Sequence, residues 1–283
     1  MFWMVLSLFS SSSAKRRPAG SLGNFKSIVH RTIATLRCES GRQLNLISIP
    51  IQTTSKLHRS QLLSKVRLGL WNAQSINNKS ALICYIIQSN RLDLLALTET
   101  WTSKNVNNIS MTDVLYNLKD FSVVELPRIS RKGGGIALLL RKAIKISVNS
   151  DFQPKSFELL DMSMKFKDFC CRIIIVYRPP PSCKKKLTVG MFFDEFFQLI
   201  ESIASTDDSI IVCGDFNFHV DDATNPDALR FLDILESFNL KQCVSGRTHK
   251  RGHTLDLIIT RCDDSLLDNV RIFTPIILLL LVK

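Results

Sequence analysis

The chain has 283 residues, 45% of them hydrophobic, and carries 37 Lys and Arg against 25 Asp and Glu, a formal charge of +12. That length and apolar content exclude a wholly disordered chain and predict one folded domain with an additional leader. The charge is uneven: residues 1–67 hold 11 cations and one acid, Glu39, whereas the remaining 26 cations face 24 acids, which excludes a strongly basic folded domain.

Residues 1–65 mix Ser, Lys, Arg and short apolar pieces without a sustained period. They are expected to form a disordered basic leader, with RNA or DNA binding as its alternative use. Its apolar start lacks a basic n-region and runs into Lys15-Arg16-Arg17, unlike a secretory signal. Folded structure is expected over 66–283. Residues 67–71 read as a strand ending at Asn72, 79–89 as an amphipathic helix with Leu82, Ile83, Ile86 and Ile87 on one side, and 92–97 as a buried strand ending at Thr98-Glu99-Thr100-Trp101.

Gly133-Gly134-Gly135 comes next. No Gly-Lys-Ser/Thr follows and a strand rather than a helix is expected over 136–140, so the triplet reads as a turn or bulge and not a phosphate cradle. Further strands are expected over 144–148, 158–166 and 170–177, the last stopped by Arg178-Pro179-Pro180-Pro181. Helical spacing covers 191–204 and 227–238. Between them the apolar run Ile210-Ile211-Val212-Cys213 breaks at Gly214 and delivers Asp215, Asn217 and His219; a last strand is expected over 255–260. Strands outnumber helices, and the helices stand singly between them, which predicts a layered α/β or α+β fold.

The eight cysteines form no CxxC pair and no zinc spacing, and several lie in apolar runs. They read as reduced core residues of an intracellular protein, nuclear or cytoplasmic. The apolar run 276–282 is too short to span a bilayer, so no membrane partner is expected. Nothing in the sequence sets an oligomeric state.

Four expected strands end on polar side chains, Asn72, Glu99, Tyr177 and Asp215 with Asn217, and Asp256 heads a fifth. Singly, each reads as a turn, cap or edge residue. Jointly they suit phosphodiester hydrolysis. Glu99 can hold a hard divalent cation, Mg²⁺ or Mn²⁺, which takes one or two protein carboxylates and keeps several waters. Asp215 can orient or deprotonate water, and Asn72, Asn217 and Tyr177 can donate to phosphoryl oxygens.

The segments Trp71-Asn72, Leu97-Thr98-Glu99-Thr100-Trp101, Gly133-Gly134-Gly135-Ile136-Ala137, Val176-Tyr177-Arg178-Pro179-Pro180, Gly214-Asp215-Phe216-Asn217 and His253-Thr254-Leu255-Asp256 follow the order of the endonuclease/exonuclease/phosphatase superfamily. They most resemble the apurinic-type endonuclease domain of non-LTR (LINE-type) retrotransposons, over roughly 66–275. The resemblance implies a four-layered α/β sandwich of the DNase-I-like kind, a Mg²⁺-dependent nick in target DNA, and a freed 3′-hydroxyl that primes reverse transcription. It implies metal binding at Glu99 with help from Asn72. It also implies work on water and phosphate by Asp215 and Asn217, phosphate contact by Tyr177 and support by Asp256.

Two departures bear on activity. The family's final Ser-Asp-His motif is expected past Ile277, where the chain reads Leu278-Leu279-Leu280-Leu281-Val282-Lys283, so the domain is expected to lack its last catalytic motif and to turn over little. Gln74 stands where repair-type members often carry an acid, which argues against an abasic-site specialist. A phosphatase or phosphodiesterase of the same superfamily and a non-catalytic nucleic-acid-binding remnant remain the alternative readings.

Overall fold

Alternating apolar side chains build two sheets around a shared core in the computed structural model. It describes residues 65–103, 109–128, 133–165, 170–181, 187–273 and 276–282. The expected leader, 1–65, lies outside the described residues except for Lys65. In chain order the elements are β1 (Lys65–Asn72), α1 (Ser80–Ser89), β2 (Leu94–Thr98), α2 (Ile109–Asn117), β3 (Phe121–Leu126), β4 (Ile136–Arg141), β5 (Lys145–Asn149) and β6 (Glu158–Lys165). Then follow β7 (Cys170–Tyr177), α3 (Val189–Ala204), β8 (Ser209–Asp215), α4 (Pro226–Ser237), β9 (Leu240–Gln242), β10 (Asp256–Arg261), β11 (Leu267–Phe273) and β12 (Ile276–Val282).

One sheet runs β11-β12-β1-β2-β4-β3 and the other β5-β6-β7-β8-β10-β9. In strands a period of two sends alternate side chains to opposite faces. Val66, Leu68 and Leu70 of β1, Leu94 and Ala96 of β2, Ile173 and Ile175 of β7, Ile211 and Cys213 of β8 and Ile258 of β10 therefore share the core between the sheets. The opposite face of the first sheet, with Leu95, Leu97 and Leu139, packs on Ile83 and Ile87 of α1 and Val114 of α2. Ile174, Val176, Val212 and Leu257 meet α3 and α4 through Phe192, Phe196 and Phe231. Helices, sheet, sheet and helices make the four layers, the α/β sandwich expected from the sequence.

Local signals explain the helix ends. The Thr188 hydroxyl accepts from Met191 N–H at the start of α3, and the Asn225 side chain accepts from Asp227 and Ala228 N–H ahead of Pro226 in α4. Gly214 does not break its strand. It lies inside β8 with φ +145°, because the Val176 carbonyl oxygen would sit 1.8 Å from any Cβ placed there. The glycine triplet has φ near +85° to +91° and leads into β4, as a turn should.

The apolar run 276–282 forms β12, inside the first sheet between β11 and β1 and antiparallel to both. No helix among the described residues is long and apolar enough to cross a membrane. Cys84, Cys171 and Cys213 are buried and Cys243 partly so, all four as free thiols. Cys170 and Cys262 correct the core reading, for both are free and exposed, one at the start of β7 and one just past β10.

Candidate active site

The candidate residues continue the inner-face alternation of the strands past the point where it stops being apolar. Asn72 follows Leu70 by two positions, Tyr177 follows Ile175, Asp215 follows Cys213, and Asp256 precedes Ile258. Register then sets them level: Tyr177 and Asp256 both pair with Asp215, and Asn72 pairs with Thr98, the residue before Glu99. All therefore meet at one end of the gap between the sheets. The structure brings Asn72, Glu99, Tyr177, Asp215, Asn217 and Asp256 together there.

Glu99 leaves β2 in a left-handed turn, φ +51°, followed by Trp101 at +59°. Its carboxylate accepts from Tyr177 Oη at 3.2 Å and Trp101 Nε1 at 3.2 Å, with the Asn72 amide at 3.5 Å. Asn72 Nδ2 also donates to Asp215 Oδ2 at 2.7 Å, while Asn72 Oδ1 accepts from Gln74 N–H at 3.2 Å. That second bond fixes which way the amide points. Asp215 Oδ1 accepts from Asn217 N–H at 3.1 Å. Asn217 Nδ2 turns back to the Arg178 carbonyl at 2.7 Å, which leaves one of its two amide hydrogens for a phosphate.

Three carboxylates at one end of a core are costly unless something positive joins them. Burial, then the Asp256 and Glu99 charges, push the Asp215 carboxyl well above its ordinary range, against hydrogen bonds from Asn217 and Asn72. Burial raises Asp256 to about 6, with the Thr248 hydroxyl opposing and the Glu99 charge adding to the rise. The Tyr177 hydroxyl is pushed far up, first by burial and then by Glu99 and Asp215, so it stays a proton donor. Asp256 Oδ1 is buried with no hydrogen-bond partner.

An orphaned carboxylate oxygen among mutually repelling acids fits a divalent cation. Among the described residues no three His, Cys, Asp or Glu side chains are arranged to ligate a metal together. The fit is therefore to an ion that takes one or two carboxylates and keeps its waters, as Mg²⁺ does.

The cleft above these groups, about 210 Å³, is lined by Asn72, Asp215 and Asp256 and by the cations Lys79 and Lys250 with His249. Lys79 Nζ donates to the carbonyls of Ala73 and Gln74 and lies 5.7 Å from the Trp71 ring. Sequence reasoning missed Lys79, His249 and Lys250. Lys79 looks like an ordinary polar helix start, and the other two gain meaning only when the 243–255 connection folds over the cleft. Thr248 anchors that connection, its hydroxyl accepting from Leu255 and Asp256 N–H. His219 stacks on His253 with centroids 3.8 Å apart, and His253 Nδ1 donates to Asp221 Oδ2 at 3.1 Å. A larger hollow of about 390 Å³ around Lys145, Lys165 and Arg172 lies at the start of β7, the end remote from Tyr177.

Residues 69–266 match the model of the Endonuclease/Exonuclease/phosphatase family, and the chain belongs to that family. No curated protein matches it. Solved structures share the fold at low identity. The endonuclease domain of TRAS1, a telomere-specific non-LTR retrotransposon, is 10% identical, with a TM-score of 0.60, covering 77% of this chain and 98% of that one. The AP endonuclease LMAP from Leishmania major is 11% identical, with a TM-score of 0.57 and coverage of 77% and 88%. A 3′ phosphatase from Neisseria, NExo, bound to a product DNA hairpin, is 13% identical, with a TM-score of 0.51 and coverage of 76% and 98%. The fold is thus one that carries both nucleases and phosphatases.

Proposed function

We propose that the chain is a Mg²⁺-dependent DNA endonuclease of the non-LTR retrotransposon type, nicking target DNA to prime reverse transcription, with slowed turnover. The observation that carries this reading is the convergence of Asn72, Glu99, Tyr177, Asp215 and Asp256 at one end of the gap between the sheets. The TRAS1 likeness supports the retrotransposon branch.

Glu99 would hold the ion through its carboxylate, with Asn72 helping by orienting Glu99 and Asp215 through Nδ2, and the ion would supply charge neutralisation at a phosphoryl oxygen. Asp215, with its raised proton affinity, takes the proton from the attacking water. Asn217 and the protonated Tyr177 donate to non-bridging oxygens, where negative charge builds. Lys79 and Lys250 line the cleft where a phosphate backbone enters.

Slowed turnover is inferred from the sequence alone, in which leucines stand past Ile277 where the resemblance expects a histidine. Loss of one acid–base group costs about 10²–10⁴-fold in rate.

Nicking of supercoiled plasmid with Mg²⁺, beside Glu99→Ala and Asp215→Ala, tests the reading, with 3′-phosphorylated oligonucleotide as a second substrate. Slow nicking abolished by both substitutions is expected. Activity that survives both removes the site assignment, and turnover of the phosphomonoester alone moves the chain to the phosphatase branch.

A further inference from the structure

Arg178 follows β7 directly, between Tyr177 and the prolines, and is only 3% exposed. Burying a guanidinium is costly, and burial lowers its proton affinity to about 10, which still leaves it charged at neutral pH. Among the described residues it forms no ion pair. Its compensation is of another kind. The guanidinium carbon lies 3.9 Å from the Phe218 ring centroid and 5.0 Å from that of Phe192, and Nη1 donates to the carbonyls of Phe216 and Asn217, each at 3.2 Å.

The backbone of the same residue completes the hold. Arg178 N–H donates to the Asp215 carbonyl at 2.9 Å, and the Arg178 carbonyl accepts from Asn217 Nδ2 at 2.7 Å. One residue therefore makes four hydrogen bonds to three consecutive residues, Asp215, Phe216 and Asn217. Asn217 sits at φ +51°, a left-handed conformation that asparagine adopts more readily than most residues, so its side chain type suits the turn that Arg178 braces.

We propose that Arg178 is a positioning residue: its buried guanidinium locks the Asp215–Asn217 turn to the end of β7, so that Asp215, Asn217 and Tyr177 face the reacting phosphate as one rigid group. This rests on the proposed phosphodiester chemistry. The flat guanidinium matters as well as the charge. Lysine keeps the cation but carries it as a compact ammonium on a flexible stem, which cannot stack on the Phe218 ring while donating to the carbonyls of Phe216 and Asn217 in the same way.

The test compares Arg178→Lys and Arg178→Met in the full chain, with Val114→Ala as a control that loses core packing of α2 against the other sheet. Plasmid nicking gives kcat and KM, thermal unfolding gives stability, and two-dimensional NMR of the Asn217 side-chain amide reports the turn without needing turnover. Both Arg178 variants are expected to fold, to lose about 10²-fold in kcat with KM little changed, and to shift the Asn217 amide signal and speed its exchange with solvent. The control, at equal loss of thermal stability, should keep both kcat and that signal.

Arg178→Lys with wild-type kcat and an unmoved amide signal overturns the proposal. So does equal loss of kcat in the control, which would reduce Arg178 to general stability, or failure of Arg178→Lys to fold, which would make it a folding residue. If the wild-type chain cleaves no phosphodiester, the proposed function has failed, and an unmoved amide signal then overturns the positioning role by itself.

Discussion

Replacing Asp256 by Asn should stabilise the protein at pH 8 and leave it nearly unchanged near pH 4. The folded-state affinity of Asp256 for its proton is raised from the ordinary 3.8 to about 6, chiefly by burial. A carboxylate raised in this way favours the folded state most at low pH, and that advantage is lost as pH climbs through about 6, so above that value the charge works against folding. Two pKa units correspond to about 3 kcal/mol, an upper value because Asp256 keeps some solvent contact. Asn removes this cost and also relieves Asp215, whose raised proton affinity owes its second-largest part to the Asp256 charge. With a urea slope of about 1–3 kcal/mol/M, the unfolding midpoint of Asp256→Asn should rise at pH 8 by an amount up to about 1 M at the steep end of that range, and hardly move at pH 4. A gain of equal size at both pH values, or none at pH 8, refutes the reasoning. Mg²⁺ should narrow the difference by stabilising wild type, since a bound cation offsets the repulsion that the substitution removes.

Three other outcomes are expected. Gly214→Ala should cost more than about 3 kcal/mol in chemical denaturation, because a Cβ would meet the Val176 carbonyl at 1.8 Å in a backbone conformation already at φ +145°. Lys250→Ala should lower the slope of log affinity for duplex DNA against log salt by about 0.9, measured by fluorescence anisotropy, because one phosphate contact at the cleft is lost. Leu279→Pro should break pairing with both Leu68 and Val270 and yield aggregating protein by light scattering, because proline cannot donate to a ladder inside a sheet.

Strong periodicity made most of the fold readable from the sequence. The strands around Leu68, Leu95, Ile174 and Val212 and the helices around Ile86, Phe196 and Phe231 stand within a few residues of their expected places, because each buries a regular apolar face. Elements without such a face escaped the reading. The helix Ile109–Asn117 is only nine residues long and buries little beyond Met111 and Val114, β3 buries only Phe121 fully, and β9 is three residues long. The strand Leu267–Phe273 carries Asp268, Asn269 and Arg271 and owes its state to pairing with β12.

The same division runs through the site. Asn72, Tyr177, Asp215 and Asp256 were readable because each interrupts an apolar alternation at a strand end. Lys79 and His249 were not, since their place in the cleft depends on how loops close in three dimensions. Arg178 was visible as part of a motif, but only its burial against the Phe192 and Phe218 rings shows what holds it there.

The placement of β12 also governs the order in which this protein can assemble. Its partner β1 opens the described chain and β12 closes it, yet they lie side by side in the interior of one sheet. Contacts of such high contact order form late and slow the folding of the whole. A ribosome-bound chain can assemble the β5-to-β9 sheet, whose strands all lie earlier than β11, while β1 still waits with one unpaired edge. The end of β1 that carries Asn72 therefore becomes fully fixed only after nearly the whole described chain has emerged.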